Sequence, residues 1–347
     1  MTGPAGERCL VVARGRAGVY HRLTVAAPAV AATARAGQFV EVRPAADQSL
    51  LLRRAFSVHA ADAAAGTVEV VFDVVGPGTR ALAGVGPGDT VDVLGPFGRP
   101  FAPPTPPAGN GGGPPAPQTG SRGGPPACLL VGGGYGTAPL FLLAGDLRAR
   151  GCPVDVLIGA STAARLLEPE ACARLGRSLT VTTDDGSTGR RGVVTDPMPE
   201  LLARARTRQV YACGPMPMLA AVSRTAAAAG VPCQVAVEER MACGTGICFS
   251  CVVPVLDGPG EPGGPSSTGT TRMARSCIEG PVFDGAAVAW AELGLAPTGA
   301  GVGLAPAAPG LARSVPAARI PGPSGGSTPG REPDPAPDRA GVGERAP

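Results

Sequence analysis

Short runs of alternating hydrophobic and polar residues characterise the first hundred positions of the chain. Six of them are rich in β-branched residues: CLVVARG, LTVAA, GQFVEVRP, RAFSVHA, GTVEVVFDVV and DTVDVLGP. Turns such as Gly76-Pro77-Gly78 separate these runs, and this pattern is typical of β-strands joined by tight turns. We therefore predict a small antiparallel β-barrel over residues 8–100.

The pattern changes after residue 126, where longer apolar runs alternate with segments of helical spacing. The runs CLLVGGG, PVDVLIGA, SLTVTTDDG and QVYACGP are typical of buried strands, whereas APLFLLAGDLRARG and PMLAAVSRTAAAAG have the spacing of helices. Alternation of strands and helices indicates a parallel sheet covered on both faces. We predict such an α/β domain over residues 127–233, so the expected fold class is a multidomain β plus α/β protein.

Glycine and proline are concentrated in a few stretches. The 347 residues include 53 glycines and 40 prolines, and many of them lie in 101–126 and 297–347. We predict a flexible linker without fixed structure over 101–126. The segment 297–347 has few large apolar residues, so we expect a disordered tail. The remaining residues are numerous enough to bury substantial cores.

Charge and composition exclude several classes of function. The net charge of +3 and the 3% content of aromatic residues argue against nucleic-acid binding. The chain has no lysine and only two histidines, which excludes a Schiff-base or P-loop lysine and leaves few candidates for histidine chemistry. There is no apolar segment of membrane-spanning length and no signal-peptide pattern, so we expect a cytoplasmic protein with reduced thiols.

Four of the ten cysteines lie close together in the segment 234–290, which we predict to be a small third domain. The spacing C-x4-C-x2-C, followed by a more distant cysteine, is that of plant-type [2Fe–2S] centres. The predicted ligands are Cys243, Cys248, Cys251 and Cys277. Gly244 and Gly246 permit the tight backbone turn that three convergent thiolates require. A structural zinc site or four unrelated buried cysteines are the alternatives.

One candidate nucleotide site lies in the predicted barrel. Arg54 precedes Ser57 by three residues on one strand, and Gly78-Thr79 follows a turn. An arginine can bind a pyrophosphate through two hydrogen bonds, a serine can reach the edge of a flavin, and Gly78-Thr79 can offer backbone N–H groups to a phosphate. Taken alone, an arginine on a strand is more often solvated.

A second candidate site is the glycine-rich turn between the first strand and first helix of the predicted parallel sheet, where a dinucleotide loop is expected. Thr137 occupies the third glycine position of G-x-G-x-x-G, so a glycine turn without a ligand is the alternative. The strand end Cys213-Gly214-Pro215 should lie at the same sheet edge. The candidate residues are Gly132, Gly134, Gly136, Thr137, Cys213, Gly214 and Pro215. We expect Glu238 and Glu239, further along, to be solvated.

Together these motifs resemble the ferredoxin–NADP reductase superfamily. The segments VEERMACGTGICFSCVV and CIEGPVFDG narrow the resemblance to the electron-transfer subunits of class B dihydroorotate dehydrogenases, over roughly residues 8–286. The resemblance implies bound FAD, one [2Fe–2S] cluster and NAD as the final acceptor. It also implies a separate FMN-containing catalytic subunit, with which the chain would form a hetero-oligomer such as a heterotetramer.

The resemblance also implies roles for individual residues. Arg54 and Ser57 would hold the FAD phosphate and the flavin, with Ala55 and Phe56 between them. Gly78 and Thr79 would contact the phosphates, and the four clustered cysteines would bind the iron.

The cofactor set suggests a function. NAD exchanges a hydride and an iron–sulfur cluster passes single electrons, whereas a flavin can do both. We therefore expect an oxidoreductase subunit of pyrimidine biosynthesis that passes electrons from FMN through the cluster and FAD to NAD+. NAD is expected over NADP because the segment around Arg165 also carries Glu168 and Glu170. The alternatives are a reductase subunit of another NAD(P)H-linked complex, of the ferredoxin or sulfide type, and a zinc-stabilised binding module without flavin.

Overall fold

The structure is a computed structural model that describes residues 5–45, 51–104, 124–256 and 270–295. Most of the predicted linker and the whole predicted tail lie outside these residues, so their disorder stays a prediction. Among the described residues, no helix has the length and apolar character needed to cross a membrane.

The first six strands close into an antiparallel barrel, which confirms the fold predicted from the alternating pattern. They are β1 (Ala5–Ala17), β2 (Tyr20–Ala26), β3 (Phe39–Pro44), β4 (Arg54–Asp62), β5 (Thr67–Phe72) and β6 (Thr90–Phe97), with helices α1 (Pro28–Ala31) and α2 (Pro77–Gly84) between them. The order around the barrel is β1-β2-β5-β4-β3-β6. The β-branched side chains of Val58, Val68 and Val70 are at most 1% exposed in its core, and each such burial contributes about 1.5–3 kcal/mol.

A second sheet begins with six parallel strands, as the alternation of strands and helices predicts. These strands are β7 (Cys128–Gly133), β8 (Val154–Ala160), β9 (Ser178–Thr183), β10 (Arg190–Arg191), β11 (Gln209–Cys213) and β12 (Cys233–Ala236). The helices are α3 (Ala138–Ala149), α4 (Pro169–Ala173), α5 (Met198–Ala205) and α6 (Met216–Ala228). The strand order is β10-β9-β8-β7-β11-β12. Helix α3 packs on one face of the sheet, and α5 and α6 pack on the other.

The last three strands attach the cysteine segment to this sheet. Strands β13 (Val252–Leu256) and β14 (Thr271–Arg275) form an antiparallel pair, and β15 (Val282–Asp284) pairs antiparallel with β12. Phe283 and Trp290 pack in the same core as α6. The region around the cysteines therefore shares its hydrophobic core with the parallel sheet.

The structure differs from the sequence prediction at two boundaries. Strand β12 crosses the predicted boundary at 233/234 and β15 falls within the predicted third domain, 234–290, yet both lie in the large sheet, where Phe283 packs in the same core as α6. Phe101, placed in the flexible linker, is 5% exposed. Its N–H donates to the carbonyl of Ala36 over 2.9 Å, and its ring meets that of Tyr211 edge-on. Ordered structure therefore extends to Phe101, since its aromatic ring is buried.

Contacts between α3 and β4 join the barrel to the sheet. His59 Nδ1 lies 3.0 Å from the carbonyl oxygen of Ala138, and its ring packs 4.6 Å from that of Phe141. On the same side, Arg165 Nη1 donates to Asp73 Oδ2 over 2.8 Å. These contacts fix the walls of the cleft in which the candidate residues lie.

Candidate functional site: a flavin cleft and a four-cysteine cluster site

The predicted flavin motif lies at the start of β4. Arg54 is the first residue of the strand, and Phe56 points into the barrel core. The alternating residues Ala55 and Ser57 are half-buried and face the outside of the barrel. A strand thus presents two side chains of the motif on one surface, because successive residues point to opposite faces.

Gly78 lies against Arg54, although the two residues are distant in the sequence. A Cβ at Gly78 would be 2.4 Å from Arg54 Nε, so a larger residue here would displace the guanidinium from its present position. Thr79 Oγ1 accepts hydrogen bonds from the backbone N–H groups of Val75 and Gly76, over 3.0 and 3.1 Å, which fixes the start of α2. The fold thereby places a guanidinium beside the N-terminus of a helix, an arrangement suited to a phosphate.

A cleft of about 650 Å³ opens beside this motif. Its lining includes Phe39, Arg53, Arg54, Ala55, Phe56, Ser57 and Thr79 from the barrel, and Tyr135, Gly136 and residues 237–242 from beyond it. The volume is within the usual range for small-molecule sites. Arg53 Nε is buried and has no hydrogen-bond partner among the described residues. A buried arginine nitrogen without a hydrogen-bond partner, beside a cleft of this size, fits an anionic cofactor such as FAD.

The predicted glycine turn meets the strand end of β11 at one edge of the sheet, because β7 and β11 are neighbours. A Cβ at Gly136 would lie 2.6 Å from the Cα of Gly214, and a Cβ at Gly133 would lie 2.9 Å from Cδ of Pro215. The two loops can therefore pack backbone against backbone only with glycine at these positions. Sequence reasoning placed both loops at the same edge, and the structure brings them together.

The remaining residues of this edge differ in what they can offer a nucleotide. Thr137 is 1% exposed, and a Cβ at Gly132 would lie 2.3 Å from its Oγ1, so its side chain fills the inside of the turn. Gly134 has a φ of 54°, which favours glycine. The Cys213 side chain is buried in the core, and this burial raises its pKa well above the usual range. Only the backbone of Cys213 is placed to contact a ligand.

Two acidic residues line the cleft, and the first of them is exposed, as expected, while the second is half-buried. They are Glu238 and Glu239. A Cβ at Gly136 would lie 2.9 Å from Glu238 Oε1. Glu238 is exposed at the cleft, and desolvation by the protein around it raises the pKa of its carboxyl group. The Glu238 carboxylate, together with burial, raises the pKa of Tyr135 above its usual range. A pair of glutamates in a loop gave no sequence signal for this position.

The four predicted cluster cysteines come together as two pairs. Hydrogen bonding links Cys243 to Cys248, and links Cys251 to Cys277. The second pair is at most 1% exposed, whereas Cys248 is exposed at the surface. Within the ranges that the structure describes, no three His, Cys, Asp or Glu side chains converge as ligands of one metal ion. Two thiol pairs suit two irons that each take two thiolates.

The electrostatics of Cys243 favour its role as a ligand. Burial opposes ionisation of this thiol, but hydrogen bonds from the backbone and side chains of Thr245 and Cys248 outweigh it and lower its pKa to about 6. The thiolate is the form that binds metals. Burial, followed by the hydrogen bond with Cys251, raises the pKa of Cys277 to about 12, and a bound metal reverses such a shift because it deprotonates its ligand.

The loop that carries three of the cysteines has no regular secondary structure from 238 to 251. Gly244 and Gly246 have φ angles of 64° and 80°. A Cβ at Gly244 would lie 2.9 Å from Cγ of Glu41, and one at Gly246 would lie 2.7 Å from Cδ1 of Ile278. Both glycines are therefore needed for the turn and for its close packing.

Glu41 is a buried carboxylate that the sequence analysis did not single out. It is 1% exposed, lies opposite Ala55 in the β3–β4 pairing, and neither oxygen has a hydrogen-bond partner among the described residues. Burial and then the Cys243 thiolate raise its pKa to about 7, against the opposing effect of Arg53 and Arg54. Alternation in the run FVEVRP assigns Glu41 to the outer face of the barrel, where the cysteine loop covers it.

Comparison with known proteins gives a family for this arrangement. Residues 238–289 match the family model described as the iron-sulfur cluster binding domain of dihydroorotate dehydrogenase B. A dihydroorotate dehydrogenase B (NAD(+)) electron transfer subunit of Desulforamulus reducens is 36% identical over 264 residues, which cover 76% of this chain and 90% of the relative. The protein of the same name from Bacillus caldolyticus is 38% identical over 266 residues, with coverage of 76% and 90%. This chain belongs to the family of dihydroorotate dehydrogenase B electron-transfer subunits.

Solved structures of reductases share the fold of this chain. An NADH-dependent reduced ferredoxin-NADP oxidoreductase, studied for flavin-based electron bifurcation, superimposes with a TM-score of 0.66 at 30% identity, covering 83% of this chain and 91% of that one. A ferredoxin reductase of carbazole 1,9a-dioxygenase has a TM-score of 0.50 at 20% identity, with coverage of 66% and 67%, and shows the shared fold alone.

Membership of the electron-transfer subunit family matches the sites built up above. The chain is an oxidoreductase subunit with a flavin-binding barrel, a nicotinamide-binding sheet and an iron–sulfur segment. The family and the fold confirm the expected cofactors FAD, iron–sulfur cluster and NAD. The assignment of single residues to these cofactors stays a prediction.

Proposed function

We propose that this chain accepts electrons from the FMN-containing catalytic subunit of a class B dihydroorotate dehydrogenase and delivers them to NAD+, through a [2Fe–2S] cluster and FAD. The observation that carries the proposal is the continuous lining of the cleft. The flavin motif on β4 forms one wall, and residues 239–242, which lead directly into Cys243, form another. A flavin and a cluster held by these residues are neighbours, as electron transfer between them requires.

The chain's own residues bind and orient the two cofactors. Arg54 and the start of α2 bind the FAD phosphates, while Ala55 and Ser57 face the flavin from β4. The four cysteines hold the cluster, and Glu41 fills the space between β4 and the cysteine loop. When bound, FAD exchanges a hydride with NAD(H) and single electrons with an iron–sulfur centre. The glycine turn and Gly214 bind the nicotinamide cofactor at the same cleft.

Arg165 supports NAD rather than NADP as the nucleotide. Recognition of NADP needs a cation near the ribose 2′ position, and Arg165 is the arginine that follows β8. Its guanidinium donates to Asp73 and lies 5.7 Å from the centroid of the Tyr20 ring. Arg165 is therefore held against the barrel, and we expect kcat/KM for NADH to exceed that for NADPH by at least about tenfold.

The surface around Cys248 suits the docking of the catalytic subunit. Exposed apolar side chains lie on either side of this cysteine in the loop, Ile247 at 80% and Phe249 at 58%, and others follow on β14 and before Gly280, Met273 at 56% and Ile278 at 37%. Exposed apolar groups clustered in this way mark interaction sites, and a partner seated here comes closest to the cluster. We infer a hetero-oligomer with contact at this surface. The ten free thiols support a cytoplasmic location, where thiols stay reduced.

Reconstitution with the catalytic subunit tests the proposal. The chain would be co-purified with the FMN-containing subunit, and reduction of NAD+ by dihydroorotate would be followed at the NADH absorbance. We expect activity that needs both subunits and that Cys243→Ser abolishes. A stable complex in which the wild-type chain adds no NAD+ reduction would contradict it.

A second candidate function is reduction or oxidation of ferredoxin, which the 30% identity and 0.66 TM-score with the ferredoxin-NADP oxidoreductase favour. Rates with reduced ferredoxin and NAD+ would be compared with the rates of the dihydroorotate-driven complex. Faster turnover with ferredoxin, without the catalytic subunit, would favour this alternative.

A further inference from the structure

Arg275 joins the two separate parts of the cysteine site. It is the last residue of β14 and lies two positions before Cys277. Its Nη1 donates a hydrogen bond over 3.1 Å to the carbonyl oxygen of Gly246, in the middle of the loop that carries the other three cysteines. One side chain therefore connects the three-cysteine loop, residues 243–251, with the strand that leads to the fourth ligand.

The same guanidinium also covers the ring of Phe249, with Cζ 5.0 Å from the ring centroid. Phe249 has a φ of 56°, a left-handed conformation that a bulky residue rarely adopts. Its side chain is 58% exposed, so burial in a core does not hold it in place. The cation–π contact stabilises this conformation, and Phe249 lies between Cys248 and Cys251.

Neighbouring groups orient Arg275 for these contacts. The carboxylate of Glu279 accepts a hydrogen bond from the Arg275 backbone N–H over 3.0 Å and lies 3.6 Å from Nε. Arg272 Nη1 donates to the other oxygen of Glu279 over 2.5 Å. A guanidinium that is held by a carboxylate loses less freedom when it binds a carbonyl and stacks on a ring.

We propose that Arg275 is a positioning residue of the cluster site, which holds the three-cysteine loop in the shape that presents its thiols together with Cys277. The inference rests on the proposed function only in that the four cysteines bind an iron–sulfur cluster. It makes no use of the catalytic partner or of the nucleotide.

Cluster retention in the purified full-length chain tests the proposal. Iron loss to a chelator would be followed by visible absorbance for wild type, Arg275→Gln and Arg275→Lys, and the reduced cluster of each would be examined by EPR. We expect Arg275→Gln to lose iron at least roughly tenfold faster and to broaden or shift the EPR signal, since a charge-assisted hydrogen bond and a cation–π contact are both removed. Arg275→Lys should recover part of the retention because it can still donate to Gly246.

A double-mutant cycle with Phe249→Leu separates the stacking contact from general destabilisation. If Arg275 acts through the ring, the two substitutions together should accelerate iron loss by less than the product of their separate effects. Arg190→Gln, on the exposed edge strand β10, is the matched control and should behave as wild type.

Each result has a defined meaning. Unchanged iron loss and EPR spectra in Arg275→Gln would overturn the proposal. If the variants are purified without iron, retention of FAD supports a local role for Arg275, whereas loss of FAD as well marks a general folding residue and contradicts it. Absence of iron from the wild-type chain would instead refute the cluster assignment itself.

Discussion

The flavin cleft and the cysteine loop are adjacent, but they are held in shape by different means. The cleft residues of the barrel lie on strands whose register is fixed by closed hydrogen-bond ladders and by a buried valine-rich core. The cysteine loop has no strand or helix from 238 to 251, and two glycines with positive φ and the side chain of Arg275 shape it. The barrel wall of the cleft therefore needs no ligand to form, whereas the loop depends on few contacts.

This difference indicates how much each cofactor contributes to the stability of the segment that binds it. A cluster bound by four thiolates cross-links the loop to residue 277, and such metal binding adds directly to the stability of the folded segment. FAD, in contrast, occupies a site that the barrel has already built. Loss of the cluster should loosen the loop locally, whereas loss of FAD should leave the barrel folded.

The largest effect should come from removing a cluster ligand. Cys243→Ser eliminates the thiol with the lowered pKa, and the loop has no other group to replace it. We expect iron and acid-labile sulfide to fall to background while FAD remains bound. Cys152→Ser, a buried cysteine of the sheet core, should keep both cofactors. Full iron content in Cys243→Ser would show that the loop does not hold the cluster.

Removing the cation of the flavin site should have the next largest effect. Arg54→Ala loses charge-assisted hydrogen bonds worth about 1.5–3 kcal/mol, so the dissociation constant of FAD should rise roughly tenfold to a hundredfold, with unchanged iron. Arg16→Ala, an exposed arginine of β1, is the control. Equal FAD affinity in the wild type and Arg54→Ala would place the flavin phosphates elsewhere.

The proposed nicotinamide site, at the sheet edge where β7 and β11 end, can be tested with one glycine at this edge and a control glycine on α3. In Gly136→Ala the new methyl would lie 2.6 Å from the Cα of Gly214, and forcing these loops apart should cost about 1–3 kcal/mol. We expect KM for NADH to rise about tenfold with little change in FAD content. In Gly145→Ala, on the open face of α3, no atom lies within 4 Å of the new methyl, and KM should not change. Similar KM values for both variants would place NADH away from this edge.

Glu41 provides the smallest effect and a pH dependence. Its pKa rises from 4.5 in the unfolded chain to about 7 in the fold, so between these values the native state binds more protons, and the free energy of unfolding falls as pH rises. Glu41→Gln removes this fall in the free energy of unfolding, because glutamine does not ionise. The variant should gain about 1–3 kcal/mol relative to wild type on going from pH 5 to pH 8, measured as a Tm difference of a few degrees. Glu200→Gln, exposed on α5, should show the same change of Tm with pH as wild type. If Glu41→Gln also showed the wild-type change of Tm with pH, Glu41 would not be a buried charge.

The sequence predicted the elements whose patterns are regular. The six barrel strands and the first strands and helices of the sheet follow from alternation and helical spacing, and C-x4-C-x2-C places three of the cysteines in one loop. The sequence alone could not predict the surroundings of residues that are buried by tertiary contacts. Glu41 occupies an outward barrel position that is exposed in most barrels, and it is buried here because the cysteine loop packs over it. Strand β15 is too short to stand out, and it forms because Phe283 fills the core beside α6.

Anaerobic reduction by NADH tests the central claim, that one chain connects a nicotinamide cofactor, a flavin and an iron–sulfur cluster. The purified wild-type chain would be mixed with NADH and followed by visible absorption and EPR. Bleaching of the flavin together with the EPR signal of a reduced cluster is predicted, and Cys243→Ser should show the bleaching alone. A wild-type chain that contains both cofactors, yet whose cluster stays oxidised after NADH has reduced the flavin, would contradict the account.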